Sequence, residues 1–243
     1  MKNLFITLGI TLATAMLCVA VMQTSGSADM DKLRRRFKEA NSNIFSYTLT
    51  SDIQSEDVNA NAVEYVDTSQ GYYCSYYKFV TDENNIDADY QNYIFAKDDI
   101  KTDAVKDVDG EWTIKTTAGN SEPIVPLSTA LDRPEALDSG TKFNSSINKN
   151  KTTESEYVVD TSVESSDYKV TYQFTIDGTN YLIKHVTINE YHNNSEEPAT
   201  HVEQDYTDYN STEVPIDDTL KSRFNKVEDL LTTNSPYFIE DEE

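Results

Sequence analysis

His185 and Thr187 on one extended run, and His201, Glu203 and Asp205 on the next, fall on one face if the turn between the runs is centred near Ser195. An imidazole of His185 oriented by Asp205 and joined by His201 is a donor set that a metal ion takes, which makes His185, His201 and Asp205 weak metal candidates. The outer face of an exposed sheet gathers such residues anyway, and a surface hydrogen bond or ion pair accounts for them without a metal. The surface reading is preferred.

Other patterns carry less chemistry. The run Lys106 to Glu111 has two alternating aspartates and a glycine, but it lacks the first ligand and the closing bidentate glutamate of a calcium loop. A hairpin turn at Asp109-Gly110 explains it better. Carboxylate pairs suited to glycoside hydrolysis arise by chance in so acidic a chain. Cys74 lies among aromatic residues in GYYCSYYKF with no histidine partner, as a packed thiol does. No Ser-His-Asp spacing, phosphate loop or dinucleotide fingerprint is present, so neither an enzyme nor a cofactor is expected.

Aromatic side chains are the more distinctive resource. Tyr65, Tyr72, Tyr73, Tyr76, Tyr77 and Tyr93 put rings on both faces of the strands that carry them, suited to packing an apolar ligand, stacking a sugar or filling a sheet core. The expected aromatic lining of a ligand site is Tyr47, Tyr73, Tyr77, Tyr172 and Phe174.

The elements that must position these groups follow from periodicity. Leu33, Phe37 and Ala40 at i, i+4 and i+7 predict an amphipathic helix over Asp31 to Asn41, with its basic residues on the solvated face. From Ile44 the period becomes two, predicting a strand through Phe45, Tyr47 and Leu49, followed by runs at 62–68, 72–80, 91–97, 101–106 and 111–117. A type I′ turn at Asp109-Gly110 would set Val105 opposite Ile114 and Asp107 opposite Trp112.

Prolines at 123, 126 and 134 mark a crossover with short helical turns near 127–131 and 134–137, and 144–153 reads as a mobile polar loop. Four consecutive strands follow between Glu154 and Tyr209. A three-residue turn with Gly178 in the left-handed position would pair Tyr172 with Leu182 and Tyr168 with Val186. Val202 and Tyr206 face the core. Pro215 and Asp217 signal a helix start before Leu220, Phe224, Val227 and Leu231.

The 243 residues are 37% hydrophobic and 26% charged, and few Gly or Pro are available for a linker, so one domain is expected. The 43 acidic residues against 20 basic ones give a net charge of −23, which excludes nucleic acid as a partner. Abundant Tyr, Phe, Val and Thr in alternating runs argue for a sheet rather than the disorder that high acidity can bring.

At the N-terminus, Lys2 precedes an apolar run from Leu4 to Met22 and then QTSGSAD, the order of a secretory signal. Cleavage after Ala28, earlier cleavage at Ala20 and retention as a membrane anchor are the alternatives. Cys18 follows Met16 and Leu17, which makes it a poor lipidation site. Lys32, Arg34, Arg35, Arg36 and Lys38, close behind the run, favour the opposite orientation of an uncleaved helix. The expected organisation is a signal peptide or anchor at 1–28, an extracytoplasmic domain at 29–232, and an acidic tail at 233–243.

The order of a signal, the helix KLRRRFKEA, the strand NIFSYTLTSDI, strands including DVDGEWTIKT, a crossover, the strands VTYQFTID and YLIKHVTINEY, and a closing VPID-helix resembles the LolA-like and LppX-like lipoprotein carrier fold. The resemblance implies an α+β domain: a curved antiparallel sheet (half-barrel) covered by N-terminal, central and C-terminal helices. It also implies an exported, non-enzymatic envelope protein that binds a hydrophobic ligand such as a lipid or lipoprotein acyl chain. A cell-surface adhesion module engaging protein or glycan is the alternative, and a hydrolase using the carboxylates or His185 is a third reading.

Overall fold

The computed structural model describes residues 28–55, 59–69, 73–81, 90–97, 100–106, 110–118, 127–132, 140–192 and 195–223. Among them are eleven strands and two α-helices, with antiparallel pairing in every register given. The strands are β1 (Ser46–Ser55), β2 (Asn59–Asp67), β3 (Tyr73–Thr81), β4 (Tyr90–Lys97), β5 (Ile100–Lys106), β6 (Trp112–Ala118), β7 (Lys142–Ile147), β8 (Glu156–Glu164), β9 (Tyr168–Asp177), β10 (Ile183–His192) and β11 (Thr200–Thr207). The helices are α1 (Ala28–Asn41) and α2 (Asp218–Arg223). The expected central helical cover is represented among the described residues by one 3-10 turn, Leu127–Thr129. The chain divides into two compact units, the first from Met1–Ile44 with Ile124–Thr200 and the second from Phe45–Pro123 with His201–Glu243.

In the first unit the strands run β10-β9-β8-β7 as successive hairpins. Their apolar face carries Val159, Val170, Phe174, Ile176, Ile183, Val186 and Ile188, all buried. Helix α1 adds Met30, Leu33 and Phe37, and Phe37 is only 1% exposed, as the heptad-like spacing predicts. Beyond this apolar stripe, the Asn41 amide donates to the Phe37 carbonyl at 2.8 Å and to the Tyr181 carbonyl at 3.0 Å. Arg36 lies over the Tyr181 ring and donates to its hydroxyl, while Arg34 Nε donates to the Leu131 carbonyl at 3.2 Å. Arg34 and Arg36 are therefore engaged within the unit, and Arg34 also pairs with the nearby Asp31 at 3.8 Å.

The β9–β10 hairpin differs from its predicted form. Tyr172 pairs with Ile188 and Tyr168 with His192, not with Leu182 and Val186, and the register shifts between Ile183 and His185. The cause is the Asp177 carboxylate, which accepts from Thr179 N at 2.7 Å and Asn180 N at 3.0 Å and so builds a longer turn. Tyr181, at φ 59°, takes the left-handed position expected for Gly178. Gly178 is needed for close approach instead: its N–H donates to Ser155 O at 2.7 Å, and a Cβ there would sit 2.8 Å from the Ser155 carbonyl carbon. The bulge lets Ile183 and Val186, three residues apart, share the buried face.

Part of the predicted mobile loop is strand. Phe143, Ser145 and Ile147 point to one side of β7, which pairs with β8, and Ser145 and Thr161 hydroxyls hydrogen-bond at 3.1 Å across the pair. The polar composition hid a strand that the ladder holds; only after Ile147 does the chain turn, around Asn148.

In the second unit the order is β6-β5-β4-β3-β2-β1-β11. The β5–β6 register differs by one residue from the predicted turn, with Ala104 opposite Ile114 and Lys106 opposite Trp112. A one-residue slip exchanges faces. In the observed register the small Ala104 lies opposite Ile114, on the face where Trp112 and Ile114 bury beside Tyr93, so packing overrides the two-residue turn. Asp107 lies outside the described residues, as do Phe224, Val227 and Leu231.

The core of this unit lies on that face: Cys74, Tyr93, Phe95, Ala104, Trp112 and Ile114, with Leu220 of α2 and the partly buried Tyr76, Val214 and Ile216. The segment leading into α2 is tied across it. Thr212 donates to Asp208 O at 3.0 Å, so Thr48 is the donor in the 2.9 Å Thr48–Thr212 hydroxyl pair. Asp217 caps α2 by accepting from Thr219 N at 2.8 Å and Leu220 N at 3.2 Å, as its helix-start signal predicts.

Candidate functional site

Alternation gives the strands of the second unit two faces, and both bury apolar side chains. On the first, Tyr65, Tyr76 and Tyr93 pair across β2, β3 and β4, stacked at centroid distances of 6.1 and 4.5 Å. This ladder belongs to the core just described, where the Tyr93 hydroxyl donates to Pro215 O and accepts from Asp217 N at 2.7 Å. Burial raises the Tyr93 phenol well above its ordinary range, against the Asp217 hydrogen bond that lowers it. These rings are structural.

The opposite face is the candidate site. It presents Leu49 and Ile53 of β1, Ala60, Ala62 and Val66 of β2, and Ala96 of β4, all buried, with Tyr47 and Tyr77 half-buried among them. From β11 come Val202, Gln204 and Tyr206; the Tyr206 ring lies 5.8 Å from that of Tyr47, and Gln204 donates to Ser51 Oγ at 3.2 Å. Burial raises the phenols of Tyr47 and Tyr206, and the Glu64 carboxylate adds to the shift in both. Glu64 itself is 7% exposed. Ser75, Asn92 and Asp103 occupy the same face of β3, β4 and β5, and burial raises the Asp103 carboxyl against the opposing pull of Lys101.

Of the aromatic lining expected from sequence, Tyr47 and Tyr77 meet on this face. Tyr73 pairs with Ala96 in the register, and its side chain lies outside the described residues. Tyr172 and Phe174 belong to the first unit, their rings 6.0 Å apart, and burial with Glu190 nearby pushes the Tyr172 phenol up to about 12. The polar members Glu64, Ser75, Asn92 and Asp103 escaped the sequence reading, because strands apolar on both faces give no sign of which side a polar residue occupies.

His185, at the β10 bulge, has Nε2 3.5 Å from Thr187 Oγ1; His201 Nε2 lies 2.9 Å from Glu203 Oε1; Asp205 is exposed. Among the described residues no three His, Cys, Asp or Glu side chains are grouped to hold a metal ion. Cys74 is buried, and burial followed by the Asp67 charge pushes its thiol up to about 12. No described helix is long and apolar enough to cross a membrane.

No protein-family model matches the sequence, and no curated protein matches it. Among solved structures the chain is similar to the Mycobacterium tuberculosis lipoprotein LppX, at 11% identity and TM-score 0.45 over 79% of this chain and 99% of that one. It is similar also to LprF from Mycobacterium bovis, at 12% identity and TM-score 0.41 over 80% and 97% of the two chains. MucB follows at 13% identity and TM-score 0.37 over 80% and 63%. Likenesses of this size assign neither ligand nor activity to the chain.

Proposed function

We propose that this chain is an exported, non-enzymatic envelope protein that binds a hydrophobic ligand, such as a lipid or a lipoprotein acyl chain, on the Tyr47–Tyr77 face of its second unit. One observation carries the reading: the sheet buries apolar side chains on both sides, and among the described residues the segment leading into α2 is tied to the Tyr93 side. The other side combines rings with the small buried residues Ala60, Ala62 and Ala96, a lining suited to an apolar chain. The leader, with its apolar run behind Lys2, supports export, and the net charge of −23 suits a surface that stays in solution at the envelope.

Native mass spectrometry of the full chain purified from its own envelope tests this. The expected spectrum shows a bound apolar species that organic extraction removes, and an N-terminus processed or retained at the leader. A ligand-free chain that also fails to take up a fluorescent fatty-acid probe would overturn the proposal.

A further inference from the structure

The candidate face holds buried polar atoms that make no hydrogen bond within the protein. Ser75 is 0% exposed and Asn92 3%, yet Ser75 Oγ, Asn92 Oδ1 and Asp103 Oδ1 are buried without a hydrogen-bond partner. The register gathers them: Ser75 and Asp103 both lie opposite Ile94, on either side of it, and Asn92 is two residues from Ile94 on the same face of β4. Two strand spacings and one side-chain repeat make this a patch of about 10 by 7 Å. A polar atom taken out of water without a partner loses its hydration and regains nothing, as at Ser75 Oγ and Asn92 Oδ1, while Asp103 Oδ1 has an ion pair with Lys101 but no hydrogen bond, so the three together mark a place where donors belong.

The charge around the patch narrows the donor. Lys101 Nζ stands 3.6 Å from Asp103 Oδ1, and Lys115 also acts on that carboxylate, so the lysines of this face are directed at Asp103. Glu64 adds a second carboxylate, set beside Asn92 in the register through their common neighbour Tyr77. An anionic headgroup would meet acceptors and carboxylates, whereas hydroxyl or ammonium hydrogens would complete the vacant acceptors.

Resting on the reading that a ligand occupies this face, we infer that its polar end is a hydrogen-bond donor, a hydroxyl-bearing or ammonium group rather than an anion, received by Ser75, Asn92 and Asp103. The apolar part then lies toward Leu49, Ile53 and the alanines.

Calorimetric titration of the full, delipidated chain with decyl glucoside, decylamine and decyl sulfate, each below its aggregation concentration, separates the possibilities at constant chain length. The glucoside or the amine should bind about tenfold more tightly than the sulfate, and which of the two does so identifies the donor. In Ser75→Ala/Asn92→Leu that preference should shrink to about twofold with sulfate affinity unchanged, since the variant removes acceptors and keeps apolar surface. Ser75→Ala alone, which removes one hydroxyl, should show a partial loss and serves if the double variant does not fold. Equal or tighter binding of the sulfate, or a preference that survives both variants, overturns the donor inference alone; no binding of any amphiphile overturns it together with the function on which it rests.

Discussion

The Tyr93 hydroxyl accepts the backbone N–H of Asp217 at 2.7 Å while donating to the carbonyl of Pro215, which places one phenol of β4 at the hinge between the last extended segment and helix α2. Around it, Asp217 also receives Lys106 Nζ at 3.2 Å and Trp112 Nε1 at 3.4 Å. One tyrosine and one aspartate thus close the Tyr93 face of the second unit.

Tyr93→Phe keeps the ring stack and removes both backbone hydrogen bonds. Each is worth about 1 kcal/mol, so equilibrium urea unfolding should show a loss of about 2 kcal/mol, with faster amide exchange confined to residues near 212–220. Unchanged exchange there would mean that the phenol does not hold the segment.

Acid should loosen the same closure. Burial pushes the Asp217 carboxyl up, but hydrogen bonds from Leu220 N, Lys106 and Thr219 N together with the Lys106 charge outweigh it and hold the group below its ordinary 3.8. A depressed carboxylate contributes stability that is complete above 3.8 and is lost as pH falls through its lower folded value. Melting temperature followed downward through that window should fall less steeply in Asp217→Asn than in the parent chain.

Gly178→Ala tests the first unit. Its Cβ would meet backbone, which cannot rotate away, so the turn must shift at a cost of about 1–3 kcal/mol. Wild-type stability in this variant would show that the close approach to Ser155 is absent in solution.

Cys74 should resist thiol reagents in the native protein at neutral pH and react at once in denaturant, because burial keeps the thiol protonated with a pKa of about 12. Rapid labelling of native Cys18→Ser chain by a chromogenic disulfide would contradict the burial of Cys74 among Tyr93 and Phe95.

Several features were legible in the residues. The i, i+4 spacing of Leu33 and Phe37 specified a one-faced helix, the alternation through Tyr172, Phe174 and Ile176 specified a strand with a buried side, and Asp217 marked a helix start. Registers were less legible. At Gly178 a left-handed turn was expected, but the Asp177 carboxylate and the approach to Ser155, in the bend just before β8, fix a longer one. At Asp109-Gly110 the local turn preference yielded to the fit of Trp112 and Ile114 beside Tyr93.

The candidate site shows the same division. The sequence alone determined a chain rich in two-sided strands, strongly acidic and carrying rings at alternate positions, because composition and period are local properties. It could not say which side of β3 and β4 receives Ser75, Asn92 and Tyr77, or that Tyr93 would be consumed by the core. Those assignments depend on where the C-terminal segment is tied, and a hydrogen bond between residues 93 and 217 exists only once the tertiary structure has brought them together.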